Sequence, residues 1–356
     1  MDILVCWNAN IGDVEAAKVA EDCGMSHLGI GQGPLIFSDP FQYMALATQV
    51  TSTLNIGTLV MDPLTRIAPS IANSLATLNA LAPGRVFCGM GTANNALHSM
   101  GRKSATPQEL GDAVRVIKGL VNGERVDHTW RGESKDVELL GVHDGCLNVN
   151  DEIPMYIAAG GPKGLANAAK YADVLVYCVG PNVRMIKMVR AELDRLVEEA
   201  GRPPGSVKLI GLTWFYQAQP GDGWEDALTK GFGTTAPMAS TITDMGFLKQ
   251  HREEIGPDIV DTSINAAKAL MGTPDTVGAA DHLEQWKNYS KGYDPRHAKF
   301  MSKELLDFWC LYGDKAKIRD DAQLMLDNGI DGLCLTLYNP AETHRDLRDI
   351  GRALLG

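Results

Sequence analysis

The sequence has no CxxC pair: its seven cysteines are scattered, and no two lie closer than Cys6 and Cys23. That spacing excludes the ordinary zinc and dithiol signatures, and the odd count fits a reducing, cytoplasmic setting better than a disulfide framework. No apolar run approaches the roughly 20 residues of a membrane-spanning helix. The opening MDILVCWN lacks a basic leader and reads as a strand rather than a signal peptide. Basic charge is also short, with 33 Lys and Arg against 44 Asp and Glu and a formal net charge of −11. Nucleic acid and anionic membrane surfaces both need a basic footprint, so neither is expected as a partner. The eight histidines show no HxH or HExxH spacing, and no metal site is expected. There is no GxSxG elbow. Gly29-Ile30-Gly31-Gln32-Gly33 lacks the GxGxxG spacing of a dinucleotide fold.

What is present is a regular alternation. Short runs rich in Val, Ile and Leu fall at 3–7, 27–31, 54–60, 85–90, 154–159, 173–179, 207–216 and 331–338. Buried parallel strands look like this, because helices cover the outside of the sheet. Helix signals lie between them. In Thr106-Pro107-Gln108-Glu109, Thr106 is a candidate N-cap, Pro107 takes the first helical position and Glu109 closes a capping box. Leu110, Val114, Ile117 and Val121 then repeat at helical spacing. A second helix is expected from Val183 to Ala200, stopped by Gly201. Eight such strands predict an α/β fold of the TIM (β/α)8 type rather than an open doubly wound sheet. Residues 122–152 are polar and turn-rich, and read as a small β excursion. Residues 218–313 form a long, mostly helical insertion between the seventh and eighth strands, with helical patterns in TPDTVGAADHLEQWKN and SKELLDFWCLYG. The whole chain, 1–356, reads as one barrel domain whose insertion covers the barrel mouth.

In a barrel, chemistry sits at the C-terminal ends of the strands. Glycine is dense there, while paired carboxylates are missing. Ala158 to Gly164 (AAGGPKG) joins a strand to a helix, where backbone N–H groups and the helix terminus suit an anion such as a cofactor phosphate. A plain Gly-Pro turn is the competing reading. His98 is the best titratable candidate for a proton donor, with a packing histidine as the alternative. Trp7 and Asn8 end the first strand and line either the substrate side or the core. Asp62 and Arg66 are expected to form a turn-stabilising ion pair. Trp214 and Tyr216 share one face of the seventh strand, filling core or stacking on substrate.

Four stretches together resemble the bacterial-luciferase-like superfamily of flavin and deazaflavin oxidoreductases. They are IGTLVMDPLTRIAPSIANSLATLNALAPGRVFCGMGTAN, ELGDAVRVIKGLVNGERV, PMYIAAGGPKGLANAAKYADVLVYCVG, and the late insertion before DGLCLTLYNP. Within it the chain resembles the methylene-tetrahydromethanopterin-reductase-like branch, whose members commonly use coenzyme F420. The resemblance implies a TIM barrel with a long insertion after the seventh strand. It also implies a cis peptide at Leu59–Val60, backing the tricyclic ring, with Thr58 at the ring edge. Gly91 and Thr92 match the fourth-strand contact. Ala159, Gly160, Gly161, Pro162 and Lys163 match the phosphate-side segment, and Cys178, Val179 and Gly180 match its continuation after the sixth strand. Where the deazaflavin branch often ends its second strand in Asp-His, this chain has Gln32-Gly33, so Gln32 offers hydrogen bonds in place of a carboxylate.

The implied activity is hydride transfer between F420 and a small organic substrate, with His98, Trp7 and Gln32 as the candidate catalytic residues. One alternative is an FMN monooxygenase fed reduced FMN by a partner flavin reductase. Another, motivated by Gln32, is a cofactor-less relative acting as a binding protein. The resemblance further implies a homodimer, with the apolar helices near 39–50 and 67–81 offering a face.

Overall fold

The computed structural model describes residues 2–92, 94–271, 282–286 and 292–356. Its strands, in chain order, are β1 (Ile3–Asn8), β2 (His27–Gly31), β3 (Asn55–Met61), β4 (Val86–Gly91), β5 (Val126–Trp130), β6 (Glu133–Val137), β7 (Met155–Ala158), β8 (Val174–Cys178), β9 (Lys208–Gln217), β10 (Cys310–Gly313) and β11 (Gly332–Thr336). Eight of them close a parallel barrel in the order β1-β2-β3-β4-β7-β8-β9-β11, with β11 returning to β1. The expected strands all form, most with ends moved by one or two residues. Side chains alternate along each strand. Leu4, Cys6, Leu59, Phe87, Tyr156, Val176, Ile210 and Cys334 fill the lumen. Phe87 stacks on Tyr156 at 4.6 Å between ring centroids and plugs its lower half. Ile3, Val5 and Trp7 belong instead to the larger outer core under the helices.

The helices on the first half are α1 (Glu15–Asp22), α2 (Pro40–Val50), α3 (Ala68–Leu81), α4 (Asn94–His98), α5 (Pro107–Val121), α6 (Pro162–Tyr171) and α7 (Val183–Glu199). The capping box is present: Glu109 N–H donates to Thr106 Oγ1 at 3.2 Å, and Thr106 N–H donates to Glu109 Oε2 at 2.7 Å. Behind it Leu110, Val114, Ile117 and Val121 are buried, each contributing about 1.5–3 kcal/mol of burial. The polar stretch after α5 holds the β5–β6 hairpin. Its turn has Arg131 at φ 52° and Gly132 at φ 84°, the double left-handed geometry that suits tight hairpins.

Between β9 and β11 come α8 (Trp224–Asp226), α9 (Thr235–Gln250), α10 (Arg252–Ile255), α11 (Pro257–Met271), α12 (His282–Trp286), α13 (Lys303–Trp309) and α14 (Lys315–Asp327), and α15 (Thr343–Ile350) closes the chain. The insertion is mostly helical, with one correction. The apolar SKELLDFWCLYG segment is not wholly helical: after Trp309 it becomes β10, which pairs with the outer half of β9 from Trp214 to Gln217. A β9 too long for its barrel neighbour leaves an edge that β10 covers. Of the TPDTVGAADHLEQWKN pattern, only His282–Trp286 lies within the described residues.

Candidate active site

The ends of β2 and β3 are tied together by their own side chains. The Leu59–Val60 peptide is cis, and the β3–β4 register shifts between Thr58 and Met61. Thr58 is fully buried, its hydroxyl donating to Gly89 C=O at 2.9 Å and accepting from Gly89 N–H at 3.0 Å. It therefore sets the β3–β4 spacing and has no free group for a ring edge. Gln32 is also spent: its amide donates to Thr65 Oγ1 at 2.6 Å, and its carbonyl accepts from Asp62 N–H at 3.0 Å. Asp62 accepts from the backbone of Leu64 and Thr65 and from the Thr65 hydroxyl. The expected Asp62–Arg66 pair does not form. Asp62 is fully enclosed by this turn, and Arg66 reaches Asp39 at the start of α2 instead.

At the end of β4, Gly91 lies against Val60: a β-carbon there would stand 2.9 Å from Val60 Cγ2. Thr92 accepts Ala105 N–H through its carbonyl at 3.1 Å. His98 follows on α4, almost buried, with Nε2 at 3.0 Å from Ser104 Oγ and its ring 6.0 Å from Trp286. Burial pushes its pKa down, so the imidazole is neutral at pH 7, and its buried Nδ1 has no hydrogen-bond partner.

The glycine segment after β7 has two different faces. A β-carbon on Gly160 would lie 1.8 Å from Asp244 Oδ1 and 2.6 Å from Thr243 C=O, so this face is filled by α9. A β-carbon on Gly161 would meet nothing within 4 Å. Gly161 caps α6 without a side-chain hydrogen bond, Pro162 begins the helix, and Lys163 is exposed. The first-turn N–H groups of α6 therefore point to an open face carrying one cation. Ala159 is buried, and its N–H donates to Val176 C=O at 3.4 Å.

After β8 the implied contact residues pack largely against the protein itself. Val179 is core, and its N–H donates to Leu212 C=O at 2.9 Å. A β-carbon on Gly180 would stand 2.5 Å from Phe308 C=O, so the α13–β10 junction fills that face of the glycine. The Cys178 thiol is pushed well above its usual range by burial and by nearby Asp244, which leaves it protonated. Asp244 itself carried no sequence signal, standing alone in an insertion without motifs. It is fully buried beside the equally buried Tyr177 hydroxyl, and desolvation outweighs that contact and raises its pKa well above the normal value. Trp214 and Tyr216 fill core: the Trp214 indole donates to Ser240 on α9 at 2.8 Å, and the Tyr216 hydroxyl donates to Asp222 at 2.6 Å.

Trp7 and Asn8 border a cavity of about 240 Å³ at the ends of β1 and β11, together with Phe37 and Tyr338. Tyr338 closes the eighth apolar run and is marked as a strand end by it, although β11 itself stops at Thr336, whereas Phe37 lies in a loop and carries no such signal.

A family model described as luciferase-like monooxygenase matches residues 13–331 of this chain. The chain belongs to the luciferase-like monooxygenase family. Among curated relatives, it is 29% identical to the F420-dependent glucose-6-phosphate dehydrogenase of Mycolicibacterium gilvum, over 82% of this chain and 90% of that protein. The Kineococcus radiotolerans protein of the same description is 30% identical over 54% of this chain and 59% of that protein. In fold it is similar to the coenzyme F420-dependent tetrahydromethanopterin reductase from Methanopyrus kandleri, with a TM-score of 0.67 at 19% identity, covering 99% of this chain and 98% of that one. It is similar too to an F420-dependent secondary alcohol dehydrogenase solved with an F420–acetone adduct, with a TM-score of 0.68 at 18% identity, covering 100% and 99%. Among family members of this architecture, the strand ends described above are the ends that face the mouth.

Proposed function

We propose that this family member is an F420-dependent oxidoreductase that moves a hydride between the deazaflavin and a small organic substrate. The observation that carries the reading is the two-faced glycine segment: an uncapped α6 with an open Gly161 and the exposed ammonium of Lys163. A phosphate fits that face, where N–H groups and a cation converge; it does not fit the Gly160 face, which Asp244 holds. The F420-dependent relatives point to the same cofactor. Bound there, F420 supplies a ring that accepts or gives up a hydride. The chain's own residues do the positioning. Lys163 and the α6 terminus hold the phosphate side, and the backbone at Leu59 and Val60 backs the ring. The Gln32–Asp62–Thr65 knot keeps that backbone in place. Helix α9, pinned by Trp214 and Asp244, extends the insertion over the mouth and keeps water from the ring. In this reading the chain works in the cytoplasm as a homodimer, to which the exposed Leu46 on α2 and Leu81 on α3 lend an apolar face.

Lys163→Glu tests the phosphate side. Fluorescence titration with oxidised F420 should show affinity weakened about tenfold or more, or about 1.4 kcal/mol. The melting temperature should not change, because the side chain is exposed. Unchanged affinity would remove Lys163 from the site.

A further inference from the structure

We propose that the hollow at the N-terminal pole of the barrel, opposite the mouth, is a second binding site, and that it takes a small primary amine with an apolar body. The site is independent of the F420 reading. His27, Val174 and Lys208 open β2, β8 and β9, and all three line a hollow of about 330 Å³. A second hollow of about 240 Å³ adjoins it across His27, Glu152, Pro154 and Tyr156, which border both. The larger one exceeds the roughly 150 Å³ cavity that holds benzene, so a ring-sized body fits. Leu4, Val174 and Ile210 form its apolar floor.

Tyr156 points to a ligand. It is only 7% exposed, its ring is stacked on Phe87, and its hydroxyl has no hydrogen-bond partner among the described residues. Burial, followed by the charges of Asp2 and Asp173, pushes its pKa up to about 12, so it stays a neutral phenol. A buried polar group without a partner is destabilising, and a ligand in the hollow can supply that partner. His27 shows which kind of group is wanted. Burial lowers its pKa and keeps the ring neutral at pH 7. Ser26 Oγ donates to Ile3 C=O at 3.0 Å, so at 2.9 Å from His27 Nδ1 it can only accept. Nδ1 therefore carries the one ring proton, and Nε2 is a bare acceptor. Of the carboxylates, Asp173 is spent on the Lys118 ammonium at 3.1 Å and the Met155 N–H at 2.8 Å. Asp2 and Glu152 border the hollow with no ion-pair partner among the described residues. The one cation among its described lining residues, Lys208, is exposed. The pole thus offers a ligand mostly acceptors. A primary ammonium brings three donors and the charge that two carboxylates favour, whereas an alcohol brings one donor and no charge.

The test is calorimetric titration of the whole chain without cofactor at neutral pH, with benzylamine and its isosteres benzyl alcohol and benzoate as probes. Benzylamine should bind about tenfold or more tighter than benzyl alcohol, with no detectable binding of benzoate. Tyr156→Phe keeps the stack on Phe87 and removes only a hydroxyl without a partner. The melting temperature should therefore hold, while benzylamine affinity falls about fivefold or more. Glu152→Gln, on the exposed rim, should weaken benzylamine about threefold or more and leave benzyl alcohol unchanged. Equal affinity for benzylamine and benzyl alcohol, binding that neither substitution weakens, or no binding of benzylamine overturns the proposal. F420 titration reports on the mouth, so failure of the F420 reading leaves this result standing.

Discussion

Gln32 and Asp244 are the two residues whose surroundings most change what their identities imply. Gln32 ends β2, where a ligand-facing group is expected, yet both ends of its amide are consumed by Asp62 and Thr65. Gln32→Leu leaves the buried Asp62 N–H without its acceptor, so urea unfolding should show a loss of about 1–3 kcal/mol. Asp244 is the opposite case, a fully buried carboxyl with only the Tyr177 hydroxyl beside it to offset its desolvation. Its pKa is raised in the folded chain, so it stays protonated there while the unfolded chain ionises from about pH 4. Stability from this group is therefore lost as pH rises above the unfolded value, by about 1.4 kcal/mol per pH unit until the folded pKa is reached. Asp244→Asn titrates in neither state. Its gain over the parent in chemical denaturation should be larger at pH 8 than at pH 5; an equal gain at both would contradict a protonated Asp244. These pairings were not legible beforehand. A sequence shows that Asp62 and Arg66 are near neighbours, but not that Asp39, contributed by another loop, outcompetes Asp62 for the guanidinium.

Among the elements, those governed by local chemistry could be read directly. Thr106, Pro107 and Glu109 specify the start of α5 within one turn, and the strands are specified by their β-branched runs. The α13–β10 boundary escapes the sequence because LLDFWCLY is apolar apart from Asp307, and periodicity cannot separate a buried helix from a buried strand there. α9 gave no warning that it would seat on Gly160, since that contact joins segments eighty residues apart. Gly160→Ala tests the seat. The new methyl would clash with Asp244 Oδ1 and the Thr243 carbonyl, and relief requires α9 to shift. Limited proteolysis should then cut within residues 218–313 several times faster while the barrel core resists as before. An unchanged cleavage pattern would mean that α9 does not depend on this contact.

For the molecule as a whole, eight strand-like runs were enough to specify a closed barrel, and the ring from β1 to β11 bears that count out. The acidic balance of the chain argued against polyanions but not against one phosphate, which needs only a helix terminus and Lys163. Chemistry was legible as a location, the C-terminal strand ends, but not as a list of contacts. Thr58, Gln32, Val179 and Gly180 sit at the right end of the barrel, with their groups turned to internal bonds or covered by the insertion. On the proposed function, the mouth of this barrel holds a deazaflavin. The direct measurement is an anaerobic equilibrium titration of the purified chain with oxidised F420 and, separately, with FMN. Saturable F420 binding at one per chain, with FMN at least a hundredfold weaker, is the predicted result. Tight FMN binding with no detectable F420 binding would contradict it.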